Sequence, residues 1–124
     1  MTGLIWFVQL VHYPLFLEVP ETAFPRYESL HQKKTGWVVI PLMTIELLLS
    51  LYLLYSVPFD SWNVTQGTIL FAILLSTFFI QRPLHMQIAK KKDQAKINRL
   101  VQTNWIRTLL WSLRSFILFR MAVA

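Results

Sequence analysis

Four uninterrupted apolar stretches dominate the sequence and leave few folds open to it. They run from about Gly3 to Val19, Gly36 to Val57, Gln66 to Gln81 and Val101 to Val123. Each approaches the roughly 20 helical residues needed to cross a bilayer. Their Leu, Ile, Phe and Val runs lack the alternation of a lipid-facing β-barrel. Backbone in hydrocarbon must satisfy its own hydrogen bonds, which leaves helices. Apolar residues make up 55% of the 124, more than a soluble domain of this size has interior to hide. The expected fold is therefore all-α, an integral membrane four-helix bundle in a single domain, 1–124. Its helices are expected at about 3–19, 36–57, 66–85 and 100–123. The first run has no basic leader and no small-residue cleavage site, so it is expected to be a retained helix rather than a removable signal.

The connections differ in charge, and that sets an orientation. Loop one (Pro20 to Thr35) holds Arg26, Lys33 and Lys34, and loop three holds Arg82, Lys90, Lys91, Lys92, Lys96 and Arg99. Loop two (Pro58 to Thr65) contains Asp60 and no basic residue. Basic loops stay on the cytoplasmic side, so loops one and three are expected there and both termini outside, with a bacterial inner membrane as the location. Trp6, Tyr55 and Trp62 then fall at the outer interface, Trp37 and Trp105 at the inner one. Phe24, Tyr27, Leu30, His31 and Lys34 recur at helical spacing, which predicts an amphipathic helix running on into the second span at Gly36. Loop three is expected to extend the third and fourth helices as a hairpin. Its lysines read as a topology signal touching anionic lipid, and no nucleic-acid partner is expected. Asn63-Val64-Thr65 matches a glycosylation sequon, in a loop short enough to lie against the membrane.

Ionisable groups at bilayer depth are costly and are functional candidates. A rise of about 1.5 Å per residue places His12 about 10 Å above the inner end of helix one and Glu46 near the midplane of helix two. It places Asn104 at the inner interface and Arg107 about 10 Å up helix four. Gln81, Arg82 and His85 end helix three at the inner surface, with His31 in the loop below. These residues converge on a polar pocket in the cytoplasmic half of the bundle. Gln9, His12, Tyr13 and Phe16 share one face, as do Met43, Glu46 and Ser50, and as do Asn104, Arg107, Thr108, Trp111 and Ser115. Glu46 and Arg107 stand at compatible depths, either as an ion pair fixing helix register or as parts of a site. Arg114 and Arg120 read as snorkelling side chains without a role.

The absence of cysteine excludes disulfides, thiolate metal sites and thiol nucleophiles. Three chemistries stay open. His12, His31, Glu46 and His85 form a nitrogen and carboxylate set for a metal ion or haem, although no His-x-x-His or Glu-x-x-His spacing is expected on any helix. A cofactor-free enzyme would use His12 or Glu46 as the proton acceptor and Asn104 with Arg107 to stabilise an oxyanion. Phe16, Trp105 and Trp111 would wall a lipophilic small molecule. A structural subunit, in a homo-oligomer or a larger membrane complex, needs no motif at all.

Arg82-Pro83-Leu84-His85 and Asn104-Trp105-Ile106-Arg107-Thr108 resemble elements of the anthrone-oxygenase-like family of small four-helix membrane proteins. That family shows Val-Pro-Leu-Asn ending helix three and Trp-Asn-x-x-Arg-Thr opening helix four. His12-Tyr13-Pro14-Leu15-Phe16 is similar to its aromatic first-helix ending near a proline. The chain departs from the pattern in carrying His85 for Asn, and Trp105 after rather than before Asn104. The resemblance implies the four-helix fold, marks Asn104, Arg107 and Thr108, and favours an oxygenase-like enzyme over a metal carrier.

Overall fold

The computed structural model describes residues Met1–Ala124. It is all-helical. The first helix starts as α1 (Thr2–Phe7), widens into a π-helical turn over Val8–His12 and tightens into a 3-10 turn over Pro14–Glu18. α2 spans Phe24–Ser56, with Pro25 in its first turn, where a missing N–H costs nothing. α3 (Ser61–Ser76) passes through a second π-turn, Thr77–Gln81, into α4 (Arg82–Lys90). These three pieces form one rod, Ser61–Lys90. α5 covers Gln94–Val123.

Both π-turns lead into a proline, although Pro41 within α2 makes no such turn. A proline has no N–H, and its ring clashes with the carbonyl four residues earlier. Pro14 and Pro83 each come two positions after the end of a π-turn. In the first turn the Tyr13 N–H reaches back five residues to the Val8 carbonyl at 3.0 Å. In the second the Arg82 N–H reaches Thr77 in the same way. The wide turn makes room for the ring without breaking the rod.

Helix ends fall outside the apolar runs. Asp60 accepts from the Asn63 N–H at 2.7 Å and Asp93 from the Lys96 N–H at 3.1 Å. These N-caps start α3 and α5 several residues before hydropathy rises. The amphipathic segment of loop one is helical and continuous with α2, as its spacing predicts. Loop three is a tight turn between α4 and α5, and Lys92 Nζ caps the end of the first helix through the Leu17 and Val19 carbonyls at 2.6 and 2.7 Å. Asn63 is fully buried and donates to the Leu53 and Val57 carbonyls at 2.7 and 2.9 Å. It closes the end of α2, and no glycan can reach it.

α5 is the central helix, packing on α1, α3 and α4, whereas the backbone of α2 approaches only α3 and α4 and its side chains reach α5. The first helix is hooked to α5 by Trp6 Nε1 donating to Ser112 and by Gln9 Nε2 donating to the Val101 carbonyl. Its backbone nowhere approaches α2, so a cleft lies between them. The core runs through Ile5, Phe16, Phe24, Ile73, Ile88 and Trp111. Outside it, α2 presents apolar side chains along its length, Trp37 and Tyr55 among the most exposed. Two helices, Phe24–Ser56 and Ser61–Lys90, are long and apolar enough to cross a membrane. The first helix is interrupted by its π and 3-10 turns, and α5 carries Arg99, Arg107, Arg114 and Arg120.

Candidate functional site

The chain's three histidines meet at one place. His12 ends the first π-turn, His31 sits one face-repeat after Glu28 on α2, and His85 comes two residues after Pro83 on α4. A π-turn rotates the downstream side chains about the helix axis by about one residue, roughly 100°. The two π-turns thus set the directions of Tyr13 and His85. His85 Nδ1 lies 2.5 Å from Glu28 Oε1, and its Nε2 lies 2.9 Å from the Tyr13 hydroxyl. In the neutral ring whose Nδ1 proton points at the carboxylate, Nε2 accepts from the Tyr13 hydroxyl. Gln32 Nε2 braces both partners, donating to Glu28 Oε1 at 3.2 Å and to the His85 carbonyl at 3.1 Å. His31 Nδ1 is 2.8 Å from His12 Nε2 and 3.1 Å from Thr35 Oγ1. Phe16, with no exposed surface, packs edge-on against the His12, His31 and His85 rings.

Glu28 is the least expected member. It is fully buried, and its Oε2 has no hydrogen-bond partner. One donor atom each from Glu28, His31 and His85 lie within 4.8 Å of one another, so the cluster can hold a metal ion as well as shuttle a proton. His31 precedes the apolar run that begins at Gly36. Burial first, then the neighbouring His85 and His12, push its imidazole down to about 3. It is therefore neutral at physiological pH, the form that ligates metal or accepts a proton.

The cluster closes one end of a cavity of about 640 Å³ between the first helix, α2 and the α3–α4 rod. Tyr13, His31, Gln81, His85 and Arg107 line the polar end, and Leu4, Val39, Met43, Leu47, Leu74 and Phe78 are among the apolar walls. Phe16, Trp105 and Trp111, expected as walls, do not line it. Phe16 packs behind the histidines, Trp105 turns edge-on to Trp6, and Trp111 is buried under α2.

Of the expected site residues, the structure brings His12, His31 and His85 together and keeps Glu46 apart. Glu46 Oε2 accepts from Arg114 Nη1 at 2.9 Å and Trp111 Nε1 at 3.0 Å, and the Met1 amine stands 3.4 Å from its other oxygen. No Glu46–Arg107 pair forms. Arg114, read from sequence as having no role, anchors a buried chain instead. Its Nη2 donates to Ser50 at 2.8 Å, Ser50 to Gln66 at 3.0 Å, and Gln66 to Asn63 at 3.1 Å. Asn104 is fully buried and donates to Gln9 Oε1 at 2.9 Å, as does Thr108 at 3.3 Å. Arg107 Nη1 donates to Asn104 Oδ1 at 3.3 Å, and the guanidinium sits 5.3 Å over the Trp111 ring. Asn104 and Arg107 thus form a pair one step from the histidines. The carboxylate of the site is Glu28, and its signal is present in the sequence. Glu28-Ser29-Leu30-His31 has Glu-x-x-His spacing, in the segment assigned to loop one. No family model, curated protein or solved structure matches this chain.

Proposed function

We propose that this protein is a multi-pass membrane protein that admits a lipophilic small molecule to the cleft between its first helix and α2 and transforms it by proton transfer at His85. The observation that carries the reading is the apolar cavity ending on the Tyr13–His85–Glu28 relay. Apolar pockets with a few convergent polar groups are the usual form of small-molecule sites. In this reading Glu28 holds the His85 tautomer, and the Tyr13 hydroxyl gives its proton to Nε2 as its oxygen takes one from the substrate. Asn104 and Arg107 lie at the same end to meet developing negative charge. The exposed apolar face of α2 supports membrane insertion. The basic residues of loops one and three support placing that end of the bundle at the cytoplasmic side. The resemblance at Arg82–His85 and Asn104–Thr108 makes deprotonation of a polycyclic phenol, followed by its oxygenation with dioxygen as co-substrate and oxidant, the first reaction to assay.

The test is purification in mild detergent, solvent extraction and mass spectrometry of co-purifying lipophiles, then turnover of the compound found. His85→Ala should keep the compound and lose about 10²-fold or more in turnover. Val39→Trp, which fills the cavity, should lose the compound itself. A His85→Ala protein that turns over normally would sink the reading.

A second reading is favoured by the unpartnered Glu28 Oε2 and the Glu-x-x-His spacing. Glu28, His31 and His85 would then hold a first-row transition metal, as carboxylate and imidazole on facing helices do in metal-binding bundles. Stoichiometric metal by elemental analysis, lost in both Glu28→Gln and His85→Ala, would put this reading first. Metal-free active protein would remove it.

A further inference from the structure

α5 buries two arginines seven residues apart, Arg107 and Arg114, which are 6% and 5% exposed. Seven residues are close to two helical turns, so both point the same way. Arg114 has a counter-charge in Glu46, 2.9 Å away. Arg107 has none. No carboxylate lies within 4.0 Å of it. Its side-chain partners are neutral, Asn104 Oδ1 at 3.3 Å from Nη1 and the nearby Tyr13 hydroxyl, and its buried Nε is unpartnered. Glu28, the acid of the neighbouring histidine cluster, is engaged by His85 and Gln32. A buried cation without a counter-charge is costly, and native proteins pair such groups. Arg107 also lines the cavity at its polar end, where an incoming anion would meet it.

We infer that the cavity is a receptor for a lipophilic carboxylate, whose head forms an ion pair with Arg107 and whose apolar body lies along α2 between Val39 and Leu47. The inference rests on the cavity being the ligand site. Nη1 is held by Asn104 and Nε is enclosed, which leaves Nη2, on the Tyr13 side of the guanidinium, to meet a carboxylate oxygen. The apolar walls beyond it have the chemistry of an alkyl or alicyclic body, and about 640 Å³ suits a single small molecule.

The test uses the whole chain in detergent and the fluorescent fatty acid cis-parinaric acid against its methyl ester, at about pH 9, where the carboxyl is ionised. Wild type should bind the acid about tenfold more tightly than the ester or better. Arg107→Gln should bring the acid down to the level of the ester and leave the ester unchanged, and Arg107→Lys should recover part of the preference. Acid and ester binding alike to wild type, both lost in Val39→Trp, would overturn the carboxylate inference and leave the cavity as a ligand site. Binding of both probes that ignores Val39→Trp would overturn the cavity reading and this inference together. An acid preference that survives in Arg107→Gln would also overturn it. If that variant fails to fold, the wild-type ratio and Arg107→Lys decide.

Discussion

Glu46 and Arg114 are an ion pair taken mostly out of water, with side chains 22% and 6% exposed. Removing one partner leaves the other charge buried, so Glu46→Ala should cost about 3 kcal/mol. Glu46→Leu with Arg114→Leu should recover most of that loss, because well-packed apolar residues often match a buried pair. Chemical unfolding in detergent of the single and double variants measures both. His31 supplies a pH dependence whose sign is fixed. Its folded value of about 3 lies below the ordinary 6.5, so between those two values the unfolded chain binds a proton that the folded chain does not. Stability should therefore fall as pH drops through that window, and His31→Gln should flatten the fall in a melting series. The polar residues themselves were legible in the sequence, but their pairing was not. Depth along a helix comes from counting residues, and it set Glu46 beside Arg107. Which neighbour a side chain meets depends also on rotation about the axis, and that rotation brings Arg114 to Glu46.

At the scale of elements, the two prolines after π-turns are the devices that build the site. Pro14→Ala and Pro83→Ala each remove the steric reason for the wide turn. A relaxed α-helix would rotate Tyr13 or His85 by about 100° and break the 2.9 Å contact between them. Both variants should keep or raise the melting temperature and lose the turnover of the co-purified compound. Normal turnover would show that the π-turns are incidental. The apolar runs predict the four rods well, but they mark where water ends rather than where helices end. The true starts are written in Asp60, Asp93 and Pro25, local capping signals that hydropathy does not weigh. Glu28 lies on the predicted amphipathic helix at Glu-x-x-His spacing from His31, but outside the apolar spans, where a depth count along the bilayer gives it no weight. The π-turns themselves left no trace beyond the prolines that follow them.

At the scale of the whole molecule, the uneven packing of α2 links architecture to use. α2 touches the α3–α4 rod and leaves the first helix to side-chain bridges, His12 to His31 at one end and the Met1 amine to Glu46 at the other. Between those bridges lies the cavity, with α2, whose outer surface is apolar, as one of its walls. If the chain lies in a bilayer, as proposed, a lipophilic ligand can reach that wall from the hydrocarbon. The chain has no cysteine, which makes the orientation testable by single introduced thiols. Phe59, 98% exposed between α2 and α3, lies opposite the lysine turn at Lys91. Phe59→Cys should react with a membrane-impermeant maleimide on intact cells, and Lys91→Cys only after permeabilisation. The reverse pattern would move the histidine cluster to the outer face and change the compartment that exchanges protons with His85. Recovery of both variants in the soluble fraction would remove the bilayer altogether, and with it the route by which a lipophile reaches the cleft.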